Sequence, residues 1–347
     1  MYFALTDEQR DLGTTVRELL ADRFPLSKVR EVFDDPDGDG SPAELWRQVG
    51  EQGWLAVLVP EEQDGLGLGV LDAQVIARAL GAGAAPGPWR GTVLVTDALR
   101  RSSSPVAKEW LPRLAAGEAV GAVALETPVG PGETLTGTLP RVEYAALADV
   151  LVVALTDGGL ALVDPRGAGV TVAPQQGLDL TSRLSTVELA GAPATRLEGA
   201  QADDIRLTAT VLVAADLVGI ARESLSRTVD YDRTREQFGR PVGSFQALKH
   251  AMADLHVAIS VAEHAVLYAA YALDAGRPDA AQAVSVAKAK TSDVAKAATA
   301  EMIQFHGGIG YTWEHDAHFY FKRARRLAGA YGDAAAHRER IAKILVG

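Results

Sequence analysis

The chain has 347 residues, 48% hydrophobic and 23% charged, the balance of a well-cored globular protein with room for two or three compact units. A net charge of −11 argues against non-specific binding to nucleic acid. The absence of cysteine excludes disulfides, thiolate chemistry and cysteine-ligated zinc. The sequence shows no apolar run that reads as long enough to span a bilayer, so no membrane span is expected. Its first residues, MYFALTDEQRDLG, lack the sections of a signal peptide, and the expected compartment is the cytoplasm.

Residues 1–118 read as a helical region. Thr6 is placed to cap the first helix, with Gln9 three residues on as in a capping box. Asp7 and Glu8 suit the positive end of its dipole. Leu12, Val16, Leu19 and Leu20 fall on one face. A second helical stretch, LWRQVGEQGWLAVLV, halts near Pro60, and the glycines of DGLGLGV make a loop. DAQVIARALGAG and PVAKEWLPRLAAG read as further short helices.

Residues 119–199 change character. AVGAVALE, DVLVVALT, GLALVDP, GVTVAPQ and STVELAG are β-rich runs separated by Gly, Pro and Asp, the pattern of a small antiparallel sandwich or barrel. From residue 200 to 347 the pattern is helical again. The predicted helices are TATVLVAADLVGIARESLSRTVDY, SFQALKHAMADLHVAISVAEHAVLYAAYAL with Ser244 as its cap, DAAQAVSVAKAKTSDVAKAATAEMIQF, and DAAAHRERIAKIL. Four such helices suggest a bundle. The order is helical, β, helical, an α+β chain.

Two segments stand out, RTREQFGRPVGSFQALKHAMADL at 233–255 and QFHGGIGYTWEHD at 304–316. By residue type alone, Glu314 is a solvated surface charge, a metal ligand or a base. Glu314, His315, Asp316 and His318 form a mixed cluster, but no HExxH pattern supports zinc, and no metal is expected. Gly307, Gly308 and Gly310 suit a helix C-cap, and no GxGxxG fingerprint supports a nicotinamide site.

Together the two segments resemble the C-terminal signatures of the acyl-CoA dehydrogenase family. EQGWLAVLVPEEQDGLGLGVLDAQVIARALGAG resembles that family's N-terminal helical domain. The resemblance implies an N-terminal helical domain, a middle β-barrel or sandwich domain and a C-terminal four-helix bundle. It also implies FAD as cofactor, an acyl-CoA thioester as substrate, its trans-2-enoyl form as product and a place in lipid metabolism. No side chain accepts a hydride, so the chemistry needs such a cofactor.

The resemblance places Glu314 as the base that takes the α-proton, its pKa raised by burial against ring and acyl chain. It places Arg235 on the FAD pyrophosphate, Phe238 and Gln246 against the flavin, and Gln304, Gly307 and Gly308 against the adenosine diphosphate of a neighbouring subunit. Thr127 is placed at the flavin edge. The implied assembly is a dimer or tetramer, and the implied electron acceptor is an electron-transfer flavoprotein.

The resemblance breaks in two places. The family's T-E-P turn and G-S-D are replaced by LETPVGPGETL. The helix RLTATVLVAADL lacks the carboxylate and arginine that help hold the CoA tail, and Ala209 stands where one subfamily carries its base. Three functions follow: a divergent dehydrogenase, a non-catalytic or half-site subunit of an α2β2 dehydrogenase that completes a partner's flavin site, or a flavin oxidase or monooxygenase on the same scaffold.

Overall fold

The computed structural model describes residues 4–346. Among these, the helices before the sheet are α1 (Asp7–Arg23), α2 (Leu26–Asp34), α3 (Ala43–Glu51), α4 (Val70–Ala82), α5 (Trp89–Arg100) and α6 (Pro105–Ala115). The strands β1 (Gly121–Val129), β2 (Thr134–Glu143), β3 (Val150–Leu155), β4 (Gly159–Val163), β5 (Val170–Gln175) and β6 (Leu184–Gln201) follow. Then come α7 (Ala202–Thr234), a short hairpin β7 (Glu236–Gln237) and β8 (Arg240–Pro241), α8 (Gln246–Asp274), α9 (Ala280–Phe305), α10 (Ala317–Gly329) and α11 (Ala334–Val346). They fall into two compact units: residues 1–30, 74–85 and 210–347, and residues 31–73 and 86–209.

The first unit is helical. Its α1 opens on the expected capping box: the Gln9 amide donates to Thr6 Oγ1 at 3.2 Å, and the Thr6 amide donates to Gln9 Oε1 at 3.1 Å. The part of α4 in this unit meets α7 at two glycines. A Cβ at Gly219 would lie 2.0 Å from the Arg78 carbonyl oxygen, and one at Gly81 would lie 2.3 Å from that of Asp216. Only glycine allows so close a crossing. Beside it, Arg323 of α10 donates to both carboxylate oxygens of Asp216, at 3.2 and 2.8 Å, and to the Ala85 carbonyl at 2.9 Å. Lys288 of α9 is wholly buried, its ammonium held by the carbonyls of Ala328 and Gly332 and by the Ser292 hydroxyl. A buried charge needs such partners.

The second unit holds the sheet, in the order β1-β3-β4-β6-β2 with β5 also on β6. β1 and β2, the ends of that order, lie in contact, so the sheet is nearly closed. Its core is Leu135, Leu139, Leu151, Val153, Val187 and their neighbours. The sheet is mixed rather than antiparallel throughout. β1 and β3 run parallel because β2, which the sequence reading did not separate, leaves β1 to pair with β6 and the chain returns beside β1.

Other expectations need correction. LWRQVGEQGWLAVLV is not one helix, since α3 stops at Glu51 and Gly53 takes a φ of +71°. Ser244 caps nothing: α8 begins after Phe245, and the buried Ser244 hydroxyl makes no hydrogen bond. α10 stands as a separate helix between α9 and α11. α8 is long and apolar enough, by length and composition, to cross a membrane, its most apolar 18-residue window having a mean hydropathy of 1.2. An uninterrupted apolar run is absent there, because His250, Asp254 and Glu263 interrupt the helix.

Candidate active site

The first unit carries most of the expected site. α9 ends at Phe305, and Gly307 takes a φ of +62°, the left-handed turn that glycine accepts without strain. Gly310 is tucked in, since a Cβ there would lie 2.5 Å from the Ile303 carbonyl oxygen. Gly307 and Gly308 face open space, with no heavy atom within 4 Å of a Cβ at either, and Gln304 beside them is exposed.

After this turn the chain is held by Arg30. Its guanidinium donates to the carbonyls of Trp313 (3.0 Å) and Glu314 (2.9 Å) and to the Asp316 carboxylate (2.6 Å). Trp313 stacks on His318 with centroids 4.7 Å apart, and the Lys322 ammonium lies 3.9 Å from the Trp313 ring. The main chain at Glu314 is therefore fixed. Its side chain is exposed and makes no hydrogen bond or ion pair with any described residue.

The second segment forms the β7–β8 hairpin, with Gln237 opposite Arg240. Its two turn residues, Phe238 and Gly239, both have positive φ, +54° and +73°, as a type I′ turn requires. Phenylalanine is an uncommon residue there, and Phe238 is 91% exposed. Arg235 is fixed by its backbone: its amide donates to Tyr231 O, and Val242 N donates to its carbonyl, each at 2.8 Å. The Arg235 guanidinium is exposed and pairs with no described carboxylate. Gln246 is also exposed, its amide nitrogen 3.5 Å from His250 Nε2. Beneath the hairpin, Asp232 is buried without a hydrogen bond, and burial pushes its carboxyl up to about 6.

An aromatic train joins the two segments. Tyr231 stacks on His306 at 4.4 Å, and His306 meets His315 at 4.5 Å. Glu223, Ser226, Arg227, Asp230, Met302, His306, His315 and Asp316 line a polar cleft of about 420 Å³ there. Glu223, Arg227 and Asp316 also line a more apolar cavity with Leu20, Phe24 and Tyr320. Burial holds the His306 and His315 pKa values below the ordinary imidazole range. His306 Nδ1 donates to Met302 O at 2.7 Å, which leaves Nε2 as an acceptor. His315 Nδ1 accepts from Ala317 N at 3.2 Å, which leaves Nε2–H as a donor.

The structure thus brings Arg235, the glycine turn and the Glu314 loop into one unit. Thr127, exposed on β1, belongs to the other. The sequence reading missed Arg30 and the cleft residues Ser226, Arg227 and Asp230. Only the HGG of the glycine turn pointed toward His306.

Comparison with known proteins now bears on this site. The pattern of the acyl-CoA dehydrogenase N-terminal domain matches residues 6–118, and that of the C-terminal domain matches residues 208–346. This chain belongs to the acyl-CoA dehydrogenase family. It is 37% identical to acyl-CoA dehydrogenase IpdE2 of Mycobacterium tuberculosis, over 93% of this chain and 92% of that protein. Among solved structures, it resembles a chain of the ChsE4–ChsE5 complex from Mycobacterium tuberculosis, with 30% identity, a TM-score of 0.90 and 99% of each chain covered. It also resembles a chain of the Tcur3481–Tcur3483 steroid acyl-CoA dehydrogenase G363A variant, at 27% identity, a TM-score of 0.90 and 98% of each chain. The acyl-CoA dehydrogenase fold and an oxidoreductase acting on acyl-CoA follow from this membership.

Proposed function

We propose that this acyl-CoA dehydrogenase chain is one subunit of a heteromeric, FAD-dependent enzyme acting on a bulky, steroid-type acyl-CoA, and that it builds part of the flavin site while a related partner supplies the base. The observation that carries this reading is the state of Glu314. Its main chain is clamped by Arg30, but its side chain is exposed and its carboxylate has no hydrogen bond or ion pair among the described residues. A base for a weakly acidic C–H needs a held position and a raised pKa. The likeness to chains of the ChsE4–ChsE5 and Tcur3481–Tcur3483 enzymes supports the heteromeric arrangement.

The residues present fit the cofactor. The exposed Arg235 guanidinium, which pairs with no described carboxylate, would hold the pyrophosphate. The open main chain at Gly307 and Gly308, with Gln304, would approach the adenosine diphosphate of a neighbouring subunit, and no Cβ stands in the way. Phe238 and Gln246 would contact the flavin. Bound flavin supplies acceptance of the hydride from the substrate β-carbon. The electrons leave through an electron-transfer flavoprotein. These contact residues lie exposed, and so do Ile309, Tyr311 and Trp313 beside them. Such a face is closed by another subunit.

A second reading keeps Glu314 as the base in this chain. What favours it is that Arg30 fixes the Glu314 backbone and leaves the side chain free to meet a ligand. One experiment separates the two. The chain is produced with a genetically neighbouring, related subunit, and flavin content and dehydrogenation are compared with those of Glu314→Gln. The half-site reading predicts flavin retention and activity within about twofold of wild type, because a solvated carboxylate contributes little. A loss of about 10²-fold or more, the scale of general-base catalysis, transfers the role to Glu314.

A further inference from the structure

His306 and His315 present one cleft with a hydrogen-bond acceptor and a donor that the protein itself does not use. His306 is 4% exposed and stacks on Tyr231. Its Nδ1–H is spent on the Met302 carbonyl, so its Nε2 is an acceptor, and that atom bonds no described residue. His315 takes the opposite tautomer. Its Nδ1 accepts from the Ala317 amide, so its Nε2–H is a donor, and it too bonds no described residue. The ring centroids lie 4.5 Å apart, and both rings line the polar cleft of about 420 Å³. Burial lowers both pKa values, so at about pH 7.5 both rings are neutral and the acceptor and donor coexist.

A group that satisfies both atoms must donate one hydrogen bond and accept another. A carbonyl or carboxylate only accepts, an ammonium only donates, and a hydroxyl does both. The walls also disfavour an anion. Glu223 is paired with Arg227 at 2.7 Å and Asp316 with Arg30 at 2.6 Å, but Asp230 pairs with no described cation. A water molecule could satisfy the two imidazoles, but it would leave the adjoining space unfilled. A second cavity, also of about 420 Å³, shares Glu223, Arg227 and Asp316 with the cleft and is lined besides by Leu20, Phe24 and Tyr320. An apolar chamber beside a few placed polar atoms is the usual form of a small-molecule site. Its breadth suits a compact ring body better than a phosphate-bearing thioester.

We propose that these adjoining cavities bind a neutral alcohol on an apolar fused-ring body, its hydroxyl donating to His306 Nε2 and accepting from His315 Nε2–H. The ligand carries no thioester, and the site does not depend on which subunit supplies the base.

The test uses the full-length protein assembled with its related subunit. It is titrated calorimetrically at about pH 7.5 with decahydronaphthol, and separately with the matching ketone, decalone, and the matching amine, decahydronaphthylamine. The expected result is saturable binding of one alcohol per copy of this chain, with the ketone and the amine each at least ~3-fold weaker, the scale of one lost hydrogen bond. His306→Phe keeps a ring against Tyr231 and removes the acceptor. It should weaken the alcohol by at least ~3-fold and erase its advantage over the ketone. Ser226→Trp fills the cleft from an exposed position and should abolish binding, which keeps the test decisive if His306→Phe does not fold. The proposal is overturned by an absence of saturable binding, which leaves water as the occupant. It is equally overturned by a ketone or amine that binds as tightly as the alcohol, or by wild-type affinity in either variant. Flavin content is recorded on each sample. Absent alcohol binding in a flavin-loaded assembly removes this site alone, whereas an assembly without flavin counts against the half-site reading.

Discussion

Arg30 and Asp316 meet at 2.6 Å, although 286 residues separate them in the chain. The same guanidinium holds the carbonyls of Trp313 and Glu314, so one side chain fixes the loop that follows the glycine turn. Side chains of this pair are 26% and 31% exposed, which leaves the contact partly screened. Arg30→Ala is expected to lower stability by about 1–2 kcal/mol, the scale of a few charge-assisted hydrogen bonds. Urea unfolding measures it. An unchanged midpoint would mean that the loop holds itself.

The Arg235 guanidinium has no ion-pair partner to lose among the described residues. Arg235→Ala should leave the unfolding midpoint within about 0.5 kcal/mol of wild type, as for an exposed side chain. Flavin retention through dialysis of the assembled enzyme should fall. Retention equal to wild type would remove Arg235 from the pyrophosphate site.

Asp216 and Arg323 are the contrasting case, a buried pair with side chains 4% and 6% exposed. Asp216→Ala leaves the Arg323 charge in the core without its carboxylate. The expected cost is about 3–5 kcal/mol. A loss under about 1 kcal/mol, the range of a surface pair, would show that solvent reaches Arg323.

Asp232 gives the pH dependence a definite sign. Its carboxyl is pushed up to about 6 by burial beneath the hairpin that carries Arg235 and Phe238. In the unfolded chain it titrates near the ordinary ~3.9. Between these values the unfolded state gives up its proton and the folded state keeps it. This group's contribution is therefore lost as pH rises from about 4 through about 6, and is constant above. Asp232→Asn should gain on wild type across that window, by up to ~3 kcal/mol. A stability difference that does not vary between pH 4 and 7 would show that the carboxylate finds a partner.

Much of this was legible in the sequence, and particular residues show where legibility stopped. Thr6 and Gln9 were readable because a capping box is local, and the glycine turn after α9 was readable for the same reason. The R-x-x-F-G segment carried a family resemblance, and the hairpin explains its glycine through the positive φ of Gly239. β2 was missed because Thr134–Glu143 begins Thr-Leu-Thr-Gly-Thr, with little apolar weight. The Ser244 cap failed because a hydroxyl before a helix caps only if it faces the first amides. Arg30 could not be found at all, since nothing local links it to a loop near residue 314. The exposure of Glu314 is equally a property of packing, and it is what turns the reading from a self-sufficient catalyst toward a half-site subunit.

The most direct test of that reading is the visible spectrum during anaerobic addition of steroid-type and straight-chain acyl-CoA thioesters. The chain is measured alone and then assembled with its related subunit. The account predicts that the isolated chain is colourless, or yellow without bleaching, and that the assembled enzyme bleaches with a steroid-type thioester. Bleaching of flavin bound to the isolated chain would contradict it, because the base would then lie within this chain.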